Sequence, residues 1–179
     1  MWEVSEPKPV KLIIGILAAE EDFLKIARGR LVELYGPADL TSRVWAFTQT
    51  DYYKEQAGEN IVRGFVTFEK LIDPGELGGI KIRTNHLEQQ LAEELKTSFP
   101  RPVNLDPGII EPSKLILAST KNFSHRIYIG SNIYAELTLS YSKGKWESYA
   151  YTFPDYKESR YHEFLSSARN RLVEQLRGL

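Results

Sequence analysis

Apolar residues follow two different spacings along the first third of the chain, and each spacing predicts its own kind of element. The segment 10–17 is a largely apolar, β-branched run, which predicts a buried strand. Residues 22–37 then carry apolar positions at helical spacing between Asp22, a capping residue, and a Gly-Pro stop. Segments 43–48 and 61–68 alternate apolar and polar or aromatic positions and predict two strands.

A second helix is predicted after residue 73. The sequence Asp73-Pro74-Gly75-Glu76 is typical of a helix start, with Pro at the first position and Glu three residues after the cap. Gly78-Gly79 weakens the first turn, so the regular helix is expected to begin nearer Ile80. A short extended segment around Val103 follows. The order strand, helix, strand, strand, helix, strand predicts a ferredoxin-like βαββαβ arrangement with both helices on one face of the sheet.

The second half of the chain is rich in strand patterns. Asp106-Pro107-Gly108 predicts a turn, and Gly130-Ser131-Asn132 is typical of a hairpin loop. A final helix is predicted from about Ser159. Four segments have strand patterns: 115–118, 125–129, 133–140 and 146–152. The predicted fold class is α+β, a single domain over 1–179, in which a ferredoxin-like half (10–104) has its mostly antiparallel sheet extended by the β-rich segment and C-terminal helix of 105–179.

Composition narrows the function classes. The 23 Lys and Arg against 24 Asp and Glu give a net charge of −1, which argues against a general nucleic-acid binder. The chain has no cysteine, so disulfides, thiol nucleophiles and thiolate metal sites are excluded. The apolar run 12–19 is far shorter than the roughly 20 residues that span a bilayer, and Glu3 and Glu6 precede it instead of basic residues. These features predict a cytoplasmic protein with no membrane partner.

Several segments occur in an order that resembles a known family. They are TDYYKEQAG at 50–58, IKIRTNHLE at 80–88, NLDPG at 104–108, KLILASTK at 114–121, HRIYIG at 125–130, AELTLSY at 135–141 and YTFPDY at 151–156. Together they resemble the bacterial domain of unknown function family DUF4416, over about Val10 to Arg177. The resemblance implies that the polar residues in these segments belong together: Tyr52, Tyr53, Glu55, Asn85, Glu88, Asn104, Asp106, Lys114, His125, Arg126 and Glu136. It implies no mechanism, because the members of the family are uncharacterised.

Charged residues on short strands predict a site for a small anionic ligand at the end of the sheet, since each buried charge needs a partner. Lys114, Arg126 and Lys121 are the candidates for holding the anionic group. Asp106 or Glu136 is the candidate base or magnesium ligand. Neither a reaction nor a cofactor follows from the sequence.

Each candidate also has a purely structural interpretation. Adjacent strand residues point to opposite faces, so His125 and Arg126 are not expected to line one pocket unless a bulge intervenes. His125 then belongs to the core rim and Arg126 to an ion pair. The segment Asn104–Gly108 is either a tight turn with Asx capping or a loop that presents Asp106 to a ligand.

A tyrosine pair and one helix face also have both a functional and a structural interpretation. Tyr52 and Tyr53 lie in the connection between the second and third strands, which either closes over a pocket and stacks a planar ligand or is an ordinary surface loop. Asn85 and Glu88 share a helix face with Lys81, which either borders a pocket or forms a solvated stripe.

Negative results restrict the chemistry further. The P-loop, the Rossmann glycine motif and the hydrolase G-x-S-x-G elbow do not occur. The three histidines, His86, His125 and His162, show no ligand spacing, so no metal site is predicted. Magnesium at Asp106, Glu136 or Glu88 stays an alternative, because its ligands need no short motif.

The alternative function is a non-catalytic protein-interaction or self-assembly module. Short strands expose sheet edges, and an edge can pair with a partner strand or with a second copy in a homo-oligomer. RNA binding ranks last, because no RNP motif accompanies the neutral charge.

Overall fold

One antiparallel sheet organises the fold. In a computed structural model of the chain, residues 2–48, 57–58 and 60–179 are described. Within them the strands are β1 (Val10–Ala18), β2 (Ala38–Thr41), β3 (Trp45–Ala46), β4 (Val62–Ile72), β5 (Val103–Glu111), β6 (Lys114–Ser119), β7 (Arg126–Tyr128), β8 (Tyr134–Ser142) and β9 (Lys145–Ser148). The helices are α1 (Glu21–Tyr35), α2 (Leu77–Leu95) and α3 (Ser159–Arg177), and 3-10 turns precede α2 (Pro74–Glu76) and α3 (Pro154–Lys157). The predicted α+β class with a mostly antiparallel sheet is confirmed.

The sheet has the order β2-β4-β1-β5-β6-β8-β7, with β3 also on β4 and β9 also on β8. All residues of β1 are buried, because β4 and β5 flank it and helices cover both of its faces. A strand covered on both faces is mostly apolar, and the apolar run predicted this burial correctly. Lys11 is the charged exception, and its buried ammonium group forms an ion pair with Asp39 at 2.6 Å.

Two layers of helix enclose the sheet. Leu12, Ile14 and Ile16 of β1 pack with α1 and α2, whereas Ile13 belongs to the cluster formed with α3. The final helix predicted from about Ser159 is confirmed, and its residues Tyr161, Leu165, Ala168 and Leu172 are buried. Among the described residues, no helix is both long enough and apolar enough to cross a membrane.

Some helices and strands begin or end at residues other than those predicted. The capping box of Asp73 and Glu76 is confirmed, but the α-helix begins at Leu77, directly after the 3-10 turn, and not near Ile80. Asp22 lies inside the first turn of α1 and makes no cap hydrogen bond. The strand expected over 43–48 is present but shorter, as β3 at Trp45–Ala46, which pairs with β4. The additional short strand β2 pairs with another part of β4.

The turn predicted at Asp106-Pro107-Gly108 is wrong, because these residues lie inside β5. The N–H of Leu105 points away from β1 toward α2, and strand periodicity directs the nitrogen of Pro107 the same way. On that side β6 begins to pair only at Gly108, so the missing N–H of proline breaks no sheet hydrogen bond. Gly108 allows close approach, since a Cβ there would lie 2.5 Å from the carbonyl oxygen of Ile116.

Candidate functional site

The sheet opens between β5 and β6 at one end. Strand β5 pairs with β6 only from Gly108 onward, so residues 103–107 have a strand neighbour on the β1 side alone. Side chains of α2 replace the second strand at Leu105. Its N–H donates to Oε1 of Glu88 at 2.7 Å, and its carbonyl oxygen accepts from Nζ of Lys81 at 2.8 Å. Both backbone hydrogen-bonding groups of Leu105 therefore have partners, although no strand fills the space between β5 and β6 at this point.

A cavity of about 130 Å³ lies at this opening. Its wall combines residues of β4, β5, β6 and β8 with the 3-10 turn before α3. Five basic residues line it: Arg63, Lys81, Arg101, Lys121 and Arg126. Three acidic residues line it as well: Asp106, Glu136 and Asp155.

Arg63 of β4 links the two halves of the chain inside this wall. Its side chain is 3% exposed, and its Nη1 and Nη2 atoms donate to Asp106 Oδ2 at 3.0 Å and to Asp155 Oδ2 at 2.8 Å. The guanidinium also lies 5.5 Å from the ring centre of Tyr156. Burial acts to lower the pKa of Arg63, but Asp155 and Asp106 raise it well above its ordinary value. The cation therefore stays charged, as a buried ion pair requires.

Gly15 makes room for this arrangement. It lies in the middle of β1, opposite Asp106 on one side and Phe65 on the other. A Cβ at Gly15 would lie 2.8 Å from Nη1 of Arg63 and 3.1 Å from Oη of Tyr156. The single glycine of β1 therefore leaves room for two residues of the cavity wall, Arg63 and Tyr156.

Asp106 is ionised in the folded protein. Burial acts to raise the pKa of Asp106, but the charges of Arg63 and Lys81 and the side chain of Asn104 bring it below its ordinary value. The Asp106 side chain is 25% exposed, whereas that of Asp155 is 4% exposed. Asp106 is therefore the more accessible of the two carboxylates that bind Arg63.

Three buried polar atoms in the wall have no hydrogen-bond partner among the described residues: Tyr156 Oη, Arg63 Nε and Asn104 Nδ2. The Asn104 amide lies close enough to lower the pKa of Asp106, although Nδ2 makes no hydrogen bond of normal geometry. Burial raises the pKa of Tyr156 well above its ordinary value, so its hydroxyl keeps the proton and can donate it in a hydrogen bond. Buried polar groups normally have partners, so this wall is suited to a polar occupant.

Glu136 of β8 organises the opposite wall. Its Oε2 accepts from Nε of Arg126 at 2.8 Å and lies 3.1 Å from Nε2 of His125. Nη1 of Arg126 donates to Ser119 Oγ and to the carbonyl oxygen of Lys121. These contacts hold the Arg126 guanidinium in one place beside the cavity.

As expected, His125 and Arg126 do not both line the cavity, and Arg126 forms an ion pair, here with Glu136. Their side chains nevertheless do not point apart. His125 lies in the turn before β7, so strand alternation does not govern its direction. Its ring stacks on that of Tyr151, with 4.2 Å between ring centres and 7° between planes. Both side chains therefore reach the same oxygen of Glu136. Arg126 lines the cavity, and His125 supports Glu136 at its edge.

A bulge in β8 directs Glu136 toward the cavity. The pairing with β6 shifts between Leu137 and Leu139, so Glu136 and Leu139 fall on the same face although they are three residues apart. Thr138, the extra residue, is fixed by the hydroxyl of Thr152, which donates to its carbonyl oxygen at 2.7 Å. Bulges of this kind often re-aim a side chain near a functional site.

The other predicted site residues divide between this cavity and the rest of the molecule. Those that line the cavity are Asn104, Asp106, Lys121, Arg126 and Glu136. Glu88 supports it from behind, where its Oε2 accepts from Nη2 of Arg101 at 2.6 Å. Asn85 is half-buried on α2 and does not line the cavity. Tyr52, Tyr53 and Glu55 lie outside the described residues.

Lys114 lies away from the cavity. It is the first residue of β6 and pairs with Glu111 at 2.8 Å across the β5–β6 turn. Leu115 and Leu117 pack toward the α3 cluster, so Lys114 faces the other side of the sheet.

Sequence reasoning missed Arg63 and Asp155, the most buried ion pair of the wall. Two signals were present. Arg63 is the one charged residue in the otherwise apolar run IVRGFVTF, and Asp155 lies in the segment YTFPDY that carries the family resemblance. A charge inside an apolar strand requires a partner, but the sequence does not say where in the fold that partner lies.

The described residues contain no cluster of side chains that could hold a metal ion. Within 2–48, 57–58 and 60–179, no group of three His, Asp or Glu side chains is placed to hold a metal ion. Two of the cavity carboxylates, Asp106 and Asp155, bind Arg63 instead.

Comparison with known proteins gives one match. No curated protein and no solved structure matches the chain. The model of a domain of unknown function, DUF4416, matches residues 8–172, which is nearly the whole length of the 179 residues. The chain belongs to the DUF4416 family.

Proposed function

We propose that the cavity between β5 and β6 binds a small molecule through an anionic group. The observation that carries this proposal is the composition of its wall: five basic residues face three acidic ones around about 130 Å³ of space. Tyr156 Oη, buried and without a partner among the described residues, supplies an unused hydrogen-bond donor beside them.

Lys81, Arg101 and Arg126 are the proposed anion-binding residues. Arg63 is set apart because it binds two carboxylates, whereas Arg101 and Arg126 bind one each and Lys81 binds a backbone carbonyl. Each of the three is held from behind by an acceptor. Leu105 O holds Lys81, Glu88 holds Arg101, and Glu136 holds Arg126. Side chains fixed in this way lose little conformational entropy when a ligand arrives, which favours binding. Lys121 completes the basic side of the wall.

Asp106 is the group through which this cavity can act on a bound ligand. A general base must be ionised and must reach the substrate. Against the effect of burial, the charges of Arg63 and Lys81 lower the pKa of Asp106, which keeps it ionised but makes it a weak base; its side chain is partly exposed at the cavity. We therefore propose Asp106 as the base if the bound molecule is transformed.

Thermal shift with inorganic phosphate, acetate, nucleotides and phosphorylated metabolites tests anion binding. A ligand at about 100 times its dissociation constant adds about 2.7 kcal/mol of stability, so the melting midpoint should rise by about 5–11 °C in a chain of this length. Lys114→Ala is the matched control, because it removes a lysine from the other face of the sheet. Its melting midpoint should rise with the anion as much as that of the wild type. Arg126→Ala should lose the response. Equal shifts in all three proteins, or no shift with any anion, contradict the proposal.

We also propose that residues 10–104 form a ferredoxin-like half and that 105–179 extend it within one domain. The proposal is supported by the antiparallel order β2-β4-β1-β5 and by the packing of α1 and α2 on the same face. The cavity then forms where the added strand β6 leaves β5. A single cooperative thermal transition is expected, and two separable transitions would argue for independent units.

A second candidate function, self-assembly through a sheet edge, is favoured by β7. This strand pairs with β8 on one side and ends the sheet order on the other. Ile127 and Tyr128 on it are 73% and 56% exposed, and exposed apolar edge strands pair readily. A dilution series followed by light scattering tests it. A strictly monomeric protein at high concentration removes this candidate.

A further inference from the structure

Phe153 is an exposed aromatic residue at the cavity. It lines the cavity wall, yet its side chain is 45% exposed. Among the described residues its ring stacks on no other aromatic ring, whereas Phe65, Tyr156 and Tyr161 pack against one another nearby. Phe153 therefore presents an unpaired ring face to the cavity or to solvent.

The position of Phe153 is fixed by buried neighbours. Thr152 is buried, and its hydroxyl donates to Thr138 O at 2.7 Å and accepts from the N–H of Tyr149 at 2.9 Å. Asp155 is buried in its ion pair with Arg63, and the carbonyl oxygen of Phe153 accepts from the N–H of Tyr156. Exposure of the ring is therefore not the result of a loose segment. The chain holds an apolar ring in water at a defined place.

The cavity offers apolar and basic surfaces side by side. Phe47, Leu117 and Pro154 line it together with Phe153, and the basic residues described above complete the wall. Its volume, about 130 Å³, is close to the roughly 150 Å³ of a protein cavity that admits benzene. The cavity is therefore large enough for one such group, and a second group attached to it would lie at the mouth of the cavity, where Phe153 is exposed.

Building on the proposed function, we infer that the ligand carries an aromatic ring next to its anionic group, and that Phe153 stacks on this ring. Stacking covers the exposed face of Phe153 and removes apolar surface of both rings from water. The anionic group then lies against Lys81, Arg101 and Arg126. Phe153 acts as the specificity residue, and the basic residues supply the attraction common to all small anions.

Calorimetric titration of matched ligand pairs tests this inference. The first pair is inorganic phosphate and phenyl phosphate, and the second is acetate and phenylacetate. The wild type should bind the aryl member of the preferred pair at least about tenfold more tightly than the parent anion. In Phe153→Ala that advantage should fall below about threefold, while binding of the parent anion stays unchanged. Phe153→Leu keeps an apolar side chain without the ring and should give an intermediate advantage.

Ile26→Ala is the matched control, because Ile26 is a similarly exposed apolar residue on α1, outside the cavity. It should keep the full aryl advantage, and thermal melts of all variants show whether they fold. Equal affinity for parent and aryl anions overturns the inference and leaves the proposed anion site standing. An aryl advantage that survives in Phe153→Ala also overturns it. Failure of every anion to bind overturns the proposed function itself.

Discussion

Gly15 illustrates how one residue position sets the geometry of the cavity wall. We expect Gly15→Ala to destabilise the protein by about 1–3 kcal/mol, because overpacking in a full core carries a penalty of that size. The added methyl would approach Arg63 Nη1 to 2.8 Å and Tyr156 Oη to 3.1 Å. Urea denaturation gives the free energy of unfolding.

Gly29→Ala is the control for this substitution. A Cβ at Gly29 meets nothing within 4 Å, and the residue lies exposed in the middle of α1. Alanine there should stabilise the helix by up to about 1 kcal/mol. Similar effects at the two glycines would show that Gly15 is not needed for the packing of Arg63 and Tyr156.

At the residue scale, the sequence identified polar residues near the site better than it identified their partners. Asn104, Asp106, Arg126 and Glu136 were predicted and do line the cavity. Lys114 was predicted with them, but it faces the other side of the sheet. The difference arises from strand register, because moving by one position reverses the face of every side chain. Register depends on contacts between segments that no local pattern contains.

At the scale of elements, α2 takes the place of a strand beside Leu105. We expect Lys81→Met to destabilise the protein by about 1–3 kcal/mol, since the Leu105 carbonyl oxygen loses its buried partner. Lys114→Met removes a half-exposed lysine from the other face and should change stability by less than about 0.5 kcal/mol. Chemical denaturation of both variants gives the comparison. Equal effects would mean that Lys81 does not satisfy this backbone group in solution.

Elements with strong local signals were predicted well, and those that depend on neighbours were not. The capping box at Asp73 and Glu76 acts within one turn, so sequence alone reveals it. The turn predicted at Pro107-Gly108 failed because a sheet can hold this pair where an adjacent strand diverges. The strand predicted over 43–48 is only two residues long, and the separate strand β2 was not predicted, because both depend on where β4 offers pairing partners.

At the scale of the whole molecule, the cavity wall ties distant parts of the chain through charge. Arg63 joins Asp106 and Asp155, so β4, β5 and the turn before α3 depend on one another. Asp106 has a folded-state pKa below its ordinary value of 3.8. Its ionised form therefore stabilises the fold above that value, and this contribution is lost as the pH falls through the folded-state pKa.

The stability difference between the wild type and Asp106→Asn should consequently shrink as the pH is lowered below about 4. Comparing the two proteins isolates Asp106 from Glu88, whose pKa is raised by burial and whose contribution changes with the opposite sign. Unfolding free energies measured at several acidic pH values give the difference directly. A difference that is constant over this range would show that Asp106 is not stabilised in its ionised form.

The proposed function requires that an anion binds in the cavity between β5 and β6. A titration of ¹⁵N-labelled protein with inorganic phosphate, followed by amide chemical shifts, tests this most directly. Saturable shifts are predicted at Leu105, Ser119 and Asp155 around the cavity. Amides at the far end of the sheet, where Lys11 and Asp39 form their own buried ion pair, should stay in place. Shifts centred on that far end, or no shift at high phosphate concentration, would contradict the account.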